Sequence, residues 1–254
     1  MVPIVLHHGL FGFDGISLGP MKIAYFRGID RALSERGHPL IASRVHPTGS
    51  VELRARQRKE NILRGLKSID HERGKVLIIA HSMGGLDARY MINKLGMDDR
   101  VKALLTITTP HRGSPYADWC VENLGRKLGG LKLMKFLGLD VEAISDLTTE
   151  RCKRFNRTIK NVPGVQYFSV SAARPWHLVP PFALHPHRVI AAAEGENDCL
   201  VSVRSSTWGE HLGVWPADHF HAVNHRLVLE IRKRTGSILP LWMKAVDRVT
   251  SQIS

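Results

Sequence analysis

The chain has little that would tie it to a bilayer or to a cross-linked scaffold. No run of about eighteen apolar residues occurs anywhere in its 254 residues, so no segment reads as a membrane-spanning helix. Cysteine is scarce: Cys120, Cys152 and Cys199 are odd in number, scattered and without paired ligand spacing. That pattern excludes a disulfide framework, and all three are expected to be reduced core or near-surface thiols. No internal repeat and no low-complexity linker interrupts the chain, which points to a single domain over 1–254. Met1 leads within two residues into "PIVL", a core strand and not the charged start of a signal peptide. As written, the chain is expected to be soluble and cytoplasmic, although a secreted form lacking its leader would read the same. Acidic residues are also few, 23 Asp and Glu against 36 Lys and Arg, and the net charge of +13 favours anionic interfaces, acidic substrates or nucleic acid.

What is present is an alternation of short apolar runs and amphipathic segments. "PIVLHHG" (3–9) reads as a strand ended by glycine, and "KIAYFRGIDRALSERG" (22–37) as a helix with Ile23, Phe26, Ile29, Ala32 and Leu33 on one face. "PLIASRV" follows, then a long helix from about Ser50, with Val51, Ala55, Ile62, Leu66 and Ile69 as its stripe and Arg54, Arg58, Lys59 and Lys67 facing outward. "KVLIIA" and "VKALLTITT" are wholly apolar strands flanking a helix from Gly84 to about Leu95, as a parallel sheet covered on both faces requires. "VQYFSVSA" and "RVIAAAEG" predict later strands, and 218–233 a late helix. Repeated strand–helix–strand units imply an α/β fold with an open, doubly wound, mostly parallel sheet.

Between "VLII" and the Gly84 helix lies Ala80-His81-Ser82-Met83-Gly84. This small-x-Ser-x-Gly turn, in a strand-to-helix context, is the pattern of a nucleophile elbow. A turn that tight lifts the Ser82 hydroxyl above the carboxyl edge of the sheet. A helix N-cap is the bland alternative for a serine there. In the hydrolase fold the acid and the histidine follow the serine in chain order. "EGENDCLV" then supplies Asp198, with Glu194 and Glu196 as competitors, and "WPADHFHAVNH" supplies His219, with His221 and His225 as competitors. Topology assigns the oxyanion donors to the amides of Met83 and of Leu10, with Gly9 allowing close approach and His8 bracing the loop.

These segments together resemble the bacterial triacylglycerol lipases of the Pseudomonas and Burkholderia type. The likeness is carried by "HHGLFGFD", "AHSMGGLDARYMI", "LLTITTPHRGSPYADW" and "END" followed by "ADHFHAVN", and it runs from about Pro3 to Arg226. The alanine at the head of the elbow is similar to that of small Bacillus lipases. The resemblance implies an α/β-hydrolase fold with Ser82, Asp198 and His219 as triad and Leu10 and Met83 as oxyanion donors. It also implies carboxylic ester hydrolysis without a cofactor, with acylglycerols as substrates. Short-chain esterase, phospholipase and thioesterase activities remain alternatives on the same scaffold, and a non-catalytic lipid-binding homologue is a more distant one.

A lid or cap is implied at about 116–146, where "LGRKLGGLKLMKFLGLDVEAI" combines many leucines with four glycines and a row of lysines and arginines. A second apolar group, Trp176 to Leu184, reads either as another wall of the acyl pocket or as a proline-fixed loop. The calcium site frequent in such lipases is not expected, because His221 stands where an aspartate would and no aspartate occurs between Glu150 and Asn197. The family disulfide has no counterpart, and His177, His185 and His187 read as exposed loop histidines rather than a zinc site. The expected partner is therefore an ester or lipid met at a lipid–water interface. Nucleic acid is disfavoured because the basic residues follow helix faces without interleaved aromatics.

Overall fold

A computed structural model describes residues 1–10, 16–18, 21–23, 25–41, 43–125, 141–225 and 236–253. Six strands form one parallel sheet: β1 (Ile4–His7), β4 (Leu40–Ile41), β5 (Val76–His81), β6 (Val101–Ile107), β7 (Gln166–Ala172) and β8 (Glu210–Trp215). Their spatial order is β4-β1-β5-β6-β7-β8. A separate antiparallel pair joins β2 (Ile16–Leu18) to β3 (Met21–Ile23). Every residue of β5 is buried, as expected of a central strand covered on both faces.

The period of two along the strands divides the core into two layers. Ile4, Leu77, Ile79, Leu105 and Phe168 pack on one face with α1 (Ile29–Glu35) and α9 (Leu239–Gln252), which brings in Leu33, Trp242 and Val246. Val5, Ile78, Ala80 and Leu104 pack on the other with α2 (Val51–Ser68) and α3 (Gly84–Lys94) through Ile62, Leu66, Met91 and Ile92. The loops that leave β1, β5, β6 and β8 at their carboxyl ends carry His8 to Leu10, Ser82, Thr108 to His111 and His219. That edge is where open α/β sheets place ligands.

Several expectations need correction. Helix α1 starts only at Ile29, because Gly28 at its N-cap is left-handed (φ 72°) and β3 occupies part of the preceding segment. Arg54 and Arg58 do not face outward: both are fully buried, paired with Asp87 of α3. "RVIAAAEG" is not a strand but the end of helix α7 (Leu184–Glu194). The strand next to β7 is instead the largely exposed "EHLGVW" of β8. Of the late helix expected over 218–233, residues 218–225 are described and hold a short 3₁₀ turn at His221–Val223, and 226–233 lie outside the described residues. Of the lid segment, helices α4 (Pro115–Gly125) and α5 (Val141–Asp146) are described, while 126–140 lies outside the described residues. The segment from Trp176 to Ala183 forms two 3₁₀ turns with Trp176 and Phe182 exposed. His185 and His187 sit on α7 and not on a loop, and His187 is buried against the Arg174 carbonyl at 3.0 Å. Cys120, Cys152 and Cys199 are free thiols, as expected.

Candidate active site

Ser82 occupies the turn between β5 and α3 with φ 55°, a left-handed conformation that a non-glycine residue adopts only where its surroundings enforce it. Three bonds enforce it. The Ser82 amide donates to the Ile107 carbonyl at 3.0 Å, and the Ser82 carbonyl accepts from the Thr109 hydroxyl at 2.7 Å and from the Gly85 amide at 3.1 Å. The small neighbours are required sterically. A Cβ on Gly84 would stand 2.8 Å from the His7 and His8 carbonyls, and one on Gly85 would stand 2.2 Å from the Thr109 hydroxyl.

His219 follows β8 and Asp198 follows α7, each on a loop at the same end of the sheet. Asp198 Oδ2 lies 2.7 Å from His219 Nδ1, in a pair that is almost wholly buried. With Nδ1–H donating to the carboxylate, Nε2 is left as the free acceptor. The second carboxylate oxygen accepts from the Leu200 and Val201 amides at 3.0 and 2.7 Å, so the acid itself is fixed. Glu194 is engaged elsewhere, by the Ser202 hydroxyl. His221 is turned away toward Arg174 and the Gly236 carbonyl, and His225 toward the Tyr25 carbonyl.

Ser82 and His219 open on one cavity of about 590 Å³. Its walls are mostly apolar, with Leu10, Tyr116, Ile144, Leu147, Val201 and Phe220 among them. Helices α4 and α5, which belong to the expected lid segment at about 116–146, therefore contribute to the cavity, whereas Trp176 and Phe182 do not line it. Phe182 reaches it only indirectly, its ring 5.7 Å from that of Phe220.

Gly9 and Leu10 border the cavity from the β1 side. A Cβ on Gly9 would approach the Ser82 Cβ to 2.7 Å and its Oγ to 3.2 Å, so the loop passes as close to the hydroxyl as glycine alone permits. The Gly9 amide is taken by the Tyr25 hydroxyl at 3.0 Å, and that hydroxyl in turn donates to His81 Nδ1 at 2.7 Å. Among the described residues, no backbone acceptor engages the Leu10 or Met83 amides. Burial, and then the adjacent His219 ring at 4.5 Å, push the His81 imidazole well below its ordinary pKa, so it stays neutral beside the second imidazole. Burial likewise raises the Tyr25 phenol to about 12.

The position where the resemblance would place a calcium ligand does not fit that ion. His221 Nδ1 meets the Arg174 guanidinium at 2.9 Å, and the nearby carboxylate, Asp218, is already paired with Arg174 at 2.6 Å. A guanidinium and an imidazole are the wrong donors for a hard cation that seeks several oxygens. Among the described residues, no three His, Cys, Asp or Glu side chains converge as metal ligands. Arg54 and Arg58, read from sequence as outward-facing, and Asp87, Tyr25 and Arg174, given no role there, each brace a loop of this site.

Known proteins resemble this chain in sequence and in fold. Residues 57–149 match the PGAP1-like alpha/beta domain. Triacylglycerol lipase 2 of Saccharomyces cerevisiae is 32% identical over 272 aligned positions, covering 90% of this chain and 82% of the yeast protein. The triacylglycerol lipase of Pseudomonas fragi is 27% identical, covering 88% of each chain. The crystal structure of Staphylococcus hyicus lipase superposes with a TM-score of 0.75 over 99% of this chain and 96% of that one. At 15% identity that likeness speaks for the fold, which is the α/β-hydrolase arrangement.

Proposed function

This chain belongs to the triacylglycerol lipase family, and from that premise we propose that it hydrolyses acylglycerol esters through a covalent acyl intermediate on Ser82. The observation that carries the reading is the convergence of Ser82 and the Asp198-held His219 on one apolar cavity. His219 Nε2 takes the Ser82 proton as the hydroxyl oxygen attacks the ester carbonyl. The negative charge that develops on the carbonyl oxygen is received by the Leu10 and Met83 amides. As the intermediate collapses, the imidazolium returns the proton to the departing alcohol, and water repeats the cycle to release the fatty acid. Asp198 keeps its charge throughout and stabilises the imidazolium. No step calls for a cofactor.

The cavity accepts an acyl chain because its walls are hydrocarbon and aromatic, and the residues that border it on α4 and α5 belong to the insertion at 116–146. We assign that insertion, whose helices α4 and α5 border the cavity, the role of a lid within a single domain.

The test compares hydrolysis of p-nitrophenyl esters from C2 to C18 and of a triolein emulsion by the wild type and Ser82→Ala. Turnover of long-chain esters and emulsion, lost in the variant while the circular dichroism spectrum is kept, is the expected result. Undiminished activity in Ser82→Ala would overturn the nucleophile, and activity confined to the shortest esters would make the protein an esterase.

A further inference from the structure

Acyl transfer as derived above leaves unexplained why α2 buries two arginines against one carboxylate. Arg54 Nε and Arg58 Nε both donate to Asp87 Oδ2, at 2.9 and 3.0 Å, and all three side chains are fully buried. Two guanidinium charges against one carboxylate leave a net positive charge in a place that water does not reach. Such a charge is costly to maintain unless another group compensates it.

The remaining donors are directed at backbone carbonyls. Arg54 Nη1 reaches the His46 and Pro47 carbonyls, and Arg58 Nη1 reaches Ser43, which pins α2 to the preceding loop. The Nη2 atoms go to the loop after β1: Arg54 donates to the His8 carbonyl at 2.9 Å and the Gly9 carbonyl at 3.0 Å, and Arg58 to the His8 carbonyl at 2.6 Å. A trans peptide points its C=O and N–H in opposite directions, and no cis bond interrupts this loop. With the Gly9 carbonyl drawn toward α2, the Leu10 N–H faces away from it, on the side where Leu10 borders the cavity beside Ser82.

We propose that Arg54 and Arg58 are positioning residues for the reaction: through the His8 and Gly9 carbonyls they aim the Leu10 N–H, and their surplus charge is met by the oxyanion when it forms. The inference rests on Ser82 being the nucleophile. A charged donor on a peptide carbonyl also polarises that peptide, so the Leu10 N–H becomes a stronger donor than an unassisted amide. The positive field is felt nearby. His8 is lowered to about 3 by burial first and then by Arg58 and Arg54, so it adds no charge of its own.

The experiment uses Arg54→Gln and Arg58→Lys in the full chain, with active sites counted by complete titration with a fluorophosphonate and its attachment to Ser82 confirmed by peptide mass. The expected result is a fall in kcat per titrated site of about 10- to 100-fold, with KM within about twofold of wild type. The rate of phosphonylation should fall in parallel, because the phosphoryl oxygen occupies the oxyanion position. A purely structural role would reduce the melting temperature and the number of titratable sites while leaving kcat per site unchanged, and that outcome overturns the proposal. A loss confined to KM overturns it as well. Should Arg54→Gln fail to fold, Arg58→Lys, which keeps a cation but not the planar fork, is read against the same two outcomes. Failure of the wild type to label at Ser82 would instead remove the acyl-transfer reading, and this inference with it. Labelling with unaltered kcat in both variants removes the arginine role alone.

Discussion

Asp198 holds His219 twice: its Oδ2 lies 2.7 Å from the imidazole Nδ1, and its own carbonyl accepts from the His219 amide at 2.8 Å. Side chain and main chain thus fix both the tautomer and the location of the proposed base. Asp198→Asn keeps an acceptor for the Leu200 and Val201 amides but presents an amide to Nδ1. It should lower kcat by on the order of 10³- to 10⁴-fold, measured on p-nitrophenyl butyrate, with little change in the thermal transition.

Asp218 lies in the His219 loop and joins it to Arg174 at 2.6 Å, while its other oxygen accepts from the Phe220 and His221 amides. Asp218→Asn keeps the amide acceptor and leaves Arg174 buried without its carboxylate. The expected cost is about 3 to 5 kcal/mol, or roughly 10 °C in Tm or more, read by scanning calorimetry.

Gly9→Ala tests how closely the first loop passes the nucleophile. Its methyl would meet Ser82 Cβ at 2.7 Å and the Tyr25 hydroxyl at 2.9 Å, both in the site itself. Overpacking of this kind costs about 1 to 3 kcal/mol. The larger effect should be on turnover, with kcat falling by about 100-fold in steady-state assays while most of the protein still folds.

His7, His8, His81 and His111 are all buried and all held below the ordinary imidazole pKa, burial being the first cause for each. A histidine depressed in the folded state binds fewer protons there than in the unfolded chain, so stability is present above the unfolded value of about 6.5 and is lost as pH falls. For His8 the window runs from 6.5 down to about 3, with a slope of about 1.4 kcal/mol per pH unit from that group alone. Urea unfolding between pH 4 and 8 should show a falling midpoint below 6.5, and His8→Gln should flatten the curve.

The strands that build the site's edge were legible because they are almost wholly buried: β1, β5 and β6 read as largely apolar runs, and β7 as an aromatic and valine run with two small buried serines. The tight turn from β5 into α3 at Ser82 was legible because its constraint is local, a small residue on each side. The misread segments are those where tertiary context overrides pattern. "RVIAAAE" has the length and valine–isoleucine content of a strand, yet it completes a helix begun by "LHPH". Strand β8 was missed because it lies at the sheet's edge with charged and exposed residues along it.

The arginines of α2 carried a signal that composition obscured. Arg58 stands three residues after Ala55 and four before Ile62, in the middle of the buried stripe. A cation at a core position asks for a buried anion, and Asp87, in the first turn of α3, supplies it. Their shared attachment to the His8 loop could not be read from spacing, because the contacts are to carbonyls, which every residue has.

The sheet order puts β5, the strand that ends at Ser82, near the middle, and β8, which leads to His219, at the far edge beyond β7. In the proposed reaction the base therefore reaches Ser82 from the outermost strand, so the acyl-transfer site is completed only once β8 has paired with β7.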